Sequence, residues 1–100
     1  MQIIEEAIKR LNTHGWIQGS YGSRREGYCM LGALSDSSAI AVLSDLGDAP
    51  FQAGRAVRAV LERNYNYHKL ESFNDTPGRT KEEVVNVLRL AIEEVNSGRV

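Results

Sequence analysis

Cysteine is almost missing from this chain: Cys29 is the only one in 100 residues. No intramolecular disulfide can form, and no Cys-x-x-Cys zinc or redox motif exists. A lone cysteine suits a reducing compartment, so the expected location is the cytoplasm. Histidine is nearly as scarce. His14 and His68 stand far apart and supply no metal-ligand set. Long apolar runs are absent too. The longest, Ala39–Leu43, is far too short to span a bilayer, and the start, Met1-Gln2-Ile3-Ile4-Glu5-Glu6, turns acidic before any signal-peptide core develops. No membrane role is expected. Charge is balanced: 12 basic and 13 acidic side chains give a net charge of −1. That leaves little of the phosphate attraction that dominates nucleic-acid affinity.

What remains is an ordinary globular composition, 42% hydrophobic and 25% charged, at the size of one domain, residues 1–100. Ile3, Ile4, Ala7, Ile8 and Leu11 recur at helical spacing and make one apolar stripe, ended by Gly15. Residues 15–27 hold four glycines in thirteen positions, which disfavours helix and regular strand alike. The reading is an ordered Gly-rich loop, packed down by Trp16, Ile17 and Tyr21, with a mobile tip near Ser23–Glu26. Cys29–Leu34 fits a helical turn somewhat better than a strand. Ser35–Ser38 offers helix caps, and Ala39–Leu46 reads as a short helix stopped by Gly47.

Asp48-Ala49-Pro50 starts the next helix, with Ala53, Ala56, Val57, Val60 and Leu61 facing inward to about Asn64. Leu70 and Phe73 suggest one more turn. Thr76-Pro77-Gly78 has the chemistry of a type II turn. Thr80-Lys81-Glu82-Glu83 is a capping box, and Val84, Val85, Leu88, Ala91, Ile92 and Val95 form a long stripe closed by Gly98. The sum is an all-α domain of four or five helices, with a small irregular hairpin in 16–34 as the main alternative. The first and last helices should pack together, with Trp16 and Phe73 over the join.

Chemistry-bearing groups are few. Cys29 in an apolar stretch reads as a buried inert thiol. The glycines lack the lysine and hydroxyl of a phosphate-binding loop. Free backbone N–H groups beside Arg24 and Arg25 are a candidate anion cradle. Leu43–Arg58 has a helix-turn-helix cadence that would offer Gln52, Arg55 and Arg58 to a DNA groove. In Phe73–Thr80, Asn74 and Asp75 are expected to make local turns, and Arg79 to pair with Asp75 across the turn.

Three blocks carry a resemblance: Gly15-Trp16-Ile17-Gln18-Gly19, Cys29-Met30-Leu31-Gly32-Ala33-Leu34, and Phe73-Asn74-Asp75-Thr76-Pro77-Gly78-Arg79-Thr80 with Glu83-Val84 and Ala91-Ile92. The chain resembles a family of small proteins of unknown function from bacteria and their phages or prophages. It departs from longer members by a compact stretch between Arg24 and Cys29. The resemblance implies that Trp16, Gln18, Asn74, Asp75 and Arg79 are neighbours, and it favours a phage or mobile-element accessory role.

The expected function is a non-enzymatic binding protein without cofactor. It would engage a host or phage protein, or a small anionic, nucleotide-like ligand, through Trp16, Gln18, Arg24, Arg25, Asn74, Asp75 and Arg79. The alternative is a helix-turn-helix DNA-binding regulator using residues 39–63, with DNA disfavoured by the charge balance. An enzyme ranks third, with Asp75 beside His68 or Arg79 and no reaction implied. A homodimer through helix faces is compatible with the pattern.

Overall fold

A computed structural model of the chain describes residues 2–20, 22–34 and 49–98, the last stretch with side chains from Ala53 onward. Among them run five helices and one two-stranded hairpin: α1 (Gln2–His14), β1 (Gly22–Ser23), β2 (Gly27–Tyr28), α2 (Met30–Leu34), α3 (Ala49–Asn64), α4 (Leu70–Asn74) and α5 (Lys81–Asn96). The fold is all-α, as the periodicity predicts. The expected helix Ala39–Leu46, with its caps, lies outside the described residues.

Each long helix buries the stripe read from the sequence. Ile3, Ile4, Ala7 and Leu11 of α1 meet Ala53, Ala56, Val57, Val60 and Leu61 of α3 and Val84, Val85, Leu88 and Ala91 of α5 in one core. Burying a valine, leucine or isoleucine side chain contributes about 1.5–3 kcal/mol, so these stripes dominate the stability. α5 packs on both α3 and α1, and the short α2 packs on α1 and α4. Phe73 is fully buried in the core, and Trp16 packs at its margin.

The ends follow their local chemistry. Gly15 at φ 95° lets its N–H bond the Leu11 carbonyl at 3.0 Å and stop α1. Asn66 adopts φ 60°, which asparagine tolerates. It turns the chain after α3 so that Tyr67 N–H reaches the Leu61 carbonyl at 3.1 Å. At α5 both halves of the Thr80–Glu83 capping box form. Arg79 N–H bonds the Thr76 carbonyl at 3.0 Å with Gly78 at φ 84°, the type II geometry.

The Gly-rich segment is more regular than its composition suggests. Gly22 pairs with Tyr28 and Ser23 with Gly27 in antiparallel register. The glycines permit this pairing rather than oppose it. A Cβ on Gly22 would sit 1.9 Å from the Gly27 carbonyl oxygen. One on Gly27 would sit 2.9 Å from the Gly15 backbone, and Gly27 also holds φ 97°. The hairpin then stitches onto the end of α1. Tyr28 N–H donates to the Gly15 carbonyl at 2.9 Å and Ile17 N–H to the Tyr28 carbonyl at 3.0 Å. Both readings of 16–34, hairpin and helical turn, are realised in succession.

Candidate functional site

Asn74, the last residue of α4, is fully buried and joins three segments. Its Oδ1 accepts from the Trp16 indole Nε1–H at 2.6 Å and from the Met30 backbone N–H at 2.9 Å. Its Nδ2 donates to the Ile17 carbonyl and to Asp75 Oδ1, both at 3.0 Å. All four hydrogen-bonding positions of the amide are used. Its orientation is fixed, because a flipped amide would set NH2 against two donors.

Around this hub the two irregular segments are laced together. Gln18 Nε2 donates to the carbonyls of Asn74 at 3.0 Å and Thr76 at 2.9 Å. Gly19 N–H donates to Asp75 Oδ1 at 3.0 Å. With the Asn74 amide and the Gly19 N–H on one oxygen, the exposed Asp75 carboxyl is held below the usual carboxylate range. Asn74 and Asp75 therefore bond across the molecule instead of closing the local turns expected of them.

Arg79 does lock its loop, but not through Asp75. Its Nε donates to the Phe73 carbonyl at 3.0 Å and its NH1 to Glu83 Oε2 at 2.9 Å. The guanidinium carbon lies 3.8 Å from the Phe73 ring centroid, with the Tyr67 and Tyr65 rings at 5.5 and 5.8 Å. Only 10% of the side chain is exposed. Glu83, bonded first by Thr80 N–H and then by Arg79, is also held below its ordinary range. Thr76 Oγ1 donates to the Ser72 carbonyl at 2.8 Å, so the Tyr67 hydroxyl must donate in the 2.9 Å contact between the two hydroxyls.

The structure thus brings Trp16, Gln18, Asn74 and Asp75 into one hydrogen-bonded cluster, with Arg79 bonded to the adjoining Phe73 carbonyl. Gln18, Gly19, Ser20, Asp75, Pro77 and Gly78 are exposed at its rim. Arg24 and Arg25 are not part of the cluster. They lie exposed in the turn between β1 and β2, with Arg24 beside Lys9, Arg10 and His14 of α1.

None of the enzymatic candidates Cys29, His68, Asp75 and Arg79 bonds another among the described residues. Cys29 is buried, its Sγ accepts from Gly32 N–H at 3.2 Å, and burial pushes its thiol up. His68 Nδ1 pairs instead with Glu62 at 2.9 Å. No group of three or more metal-ligating side chains occurs among the described residues. Of the helix-turn-helix reading, Arg55 and Arg58 are exposed on α3, and the first helix lies outside the described residues. Sequence reasoning missed the buried Glu94, which pairs with Arg63. Its position three residues after Ala91, on the buried stripe, was the available signal.

Fold and site together define a small helical protein in which one buried asparagine ties a Gly-rich loop to an interhelical turn. The chain belongs to the family of unknown function DUF6197, whose family model matches residues 1–94. No curated protein and no solved structure matches it.

Proposed function

We propose that this chain is a small non-enzymatic binding protein, an accessory factor of a phage or other mobile element, that engages a partner protein through the Trp16–Arg25 loop and the Asn74–Arg79 turn. The observation that carries this reading is the Asn74 hub. The four bonds of one buried amide join the Gly-rich loop, the start of α2 and the turn after α4. A surface ordered before binding loses less entropy on association. The rim is polar and carries the Asp75 carboxylate, while Arg24 and Arg25 stand apart in the hairpin turn beside α1. Such a rim suits a protein partner better than an anion, since Asp75 would repel one and the Arg79 charge is spent on Glu83. The lone cysteine supports a cytoplasmic setting. No helix among the described residues is long and apolar enough to cross a membrane.

Native mass spectrometry of the protein recovered from its own host tests this reading. A partner of fixed stoichiometry should accompany the wild type and an Arg89→Ala control on the exposed side of α5. Gln18→Ala and the Arg24→Ala/Arg25→Ala double variant should lose it. A partner retained by all variants overturns the mapping, and recovery of the bare chain from every preparation overturns the proposal. The DNA-binding reading over residues 39–63 has the exposed Arg55 and Arg58 in its favour and the net charge against it.

A further inference from the structure

Gly54 stands in the sixth position of the sixteen-residue α3. Glycine is among the poorest helix formers, and its use inside a helix normally answers a need of backbone or packing. Among the described residues neither need is found. Gly54 is not among the positive-φ glycines, and a Cβ built on it meets nothing within 4 Å among the described residues. What the missing side chain does is leave open a groove of about 490 Å³ between α3 and the connection into α4.

The groove is lined by Arg55, Arg58 and Lys69, with Glu71 as the one opposing carboxylate. This local excess of positive charge contrasts with a chain of net charge −1. Arg55 and Lys69 make no side-chain bond to any described residue. Arg58 makes one, from Nε to the His68 carbonyl at 3.1 Å, which orients the guanidinium and leaves its two terminal nitrogens without a partner among the described residues. Glu62, whose Oε2 bonds His68 Nδ1 at 2.9 Å, keeps its negative charge but is not part of the lining. Leu70 adds an apolar wall.

We propose that this groove binds a small phosphate-bearing molecule of mononucleotide size. Two arginines and a lysine suit the geometry and charge of a phosphate. The volume falls within the roughly 300–1,000 Å³ typical of small-ligand clefts. The body of the ligand lies over Gly54, along Leu70 and the arginine stems. A concave pocket with one carboxylate at its edge fits a compact ligand better than a duplex. The site is separate from the loop surface and stands or falls without it.

The test is titration of the ¹⁵N-labelled chain with AMP and with inorganic phosphate, followed by calorimetry. AMP should shift the amides of 54–58 and 68–71 saturably and bind more tightly than phosphate. Arg55→Ala and Arg58→Ala should each weaken AMP about tenfold, the loss of one charge-assisted contact. Gly54→Gln should keep the fold and abolish AMP binding by filling the floor, while Gly54→Ala should raise the Tm. Absence of saturable shifts at millimolar AMP overturns the proposal. So does a Gly54→Ala chain of lower Tm, which would give the glycine a packing role. Shifts of the same amides by duplex DNA but not by AMP overturn it in favour of a DNA interface.

Discussion

Replacing Asn74 by alanine removes the hub while leaving every helix stripe intact. Four hydrogen bonds disappear, and their partners fare differently. The Met30 N–H lies on a fully buried residue and has no route to water, so orphaning it costs about 1–3 kcal/mol. The Trp16 indole N–H and the Ile17 carbonyl belong to half-buried residues and regain water, so each loss counts for about 0.5–1.5 kcal/mol. The exposed Asp75 carboxylate loses least. The total is about 2–6 kcal/mol, against the 5–15 kcal/mol that typically holds a domain of this size. A fall in Tm of roughly 10 °C or more follows. The assay is urea unfolding monitored by fluorescence, and Trp16, the only tryptophan, reports on the lost bond itself. Its emission in the folded variant should move to longer wavelength as the loop detaches. Asn74→Asp should also destabilise, because it removes both amide donors and sets a second carboxylate beside Asp75. A loss below about 1 kcal/mol with unchanged emission would refute the reasoning, since one orphaned buried N–H already exceeds it.

Three further outcomes are expected. Gly27→Ala should cost at least about 2 kcal/mol by urea unfolding, because it combines a left-handed φ with a Cβ 2.9 Å from the Gly15 backbone. Asp75 and Glu83 both have lowered folded-state pKa values. The stability they contribute is therefore full above the ordinary carboxylate range and is lost as pH falls through their depressed values; a Tm that rises on such acidification would contradict this. Cys29 should react slowly with iodoacetamide at neutral pH, at the rate of transient opening, because the thiol is both buried and raised. Reaction as fast as a free peptide thiol would contradict its placement.

The parts of this fold legible in the sequence are those decided by near neighbours. The α1, α3 and α5 stripes follow from one helical period. The Thr80–Glu83 box and the Pro77-Gly78 turn each complete their bonds within four residues. The hairpin was harder to read because four glycines argue against strand on propensity. Only the close approach of Gly22 to Gly27, and of Gly27 to Gly15, reveals why glycine is needed there. The hub was less legible still. Asparagine before aspartate in a turn suggests local side-chain bonds, whereas Asn74 bonds residues 44 to 58 positions away. Arg79 shows the same limit. Its spacing from Asp75 and from Glu83 is equal, and only the seat over the Phe73 ring decides for Glu83.

The most direct test of the account is hydrogen exchange at two protons, the Met30 amide and the Trp16 indole N–H, followed by NMR in the native chain and in Asn74→Ala. If Asn74 ties the loop to the turn, both protons are protected in the native chain and both lose protection together in the variant, while the amides of α5 keep theirs. Rapid exchange of the two protons in the native chain, or protection that survives removal of Asn74, would contradict it.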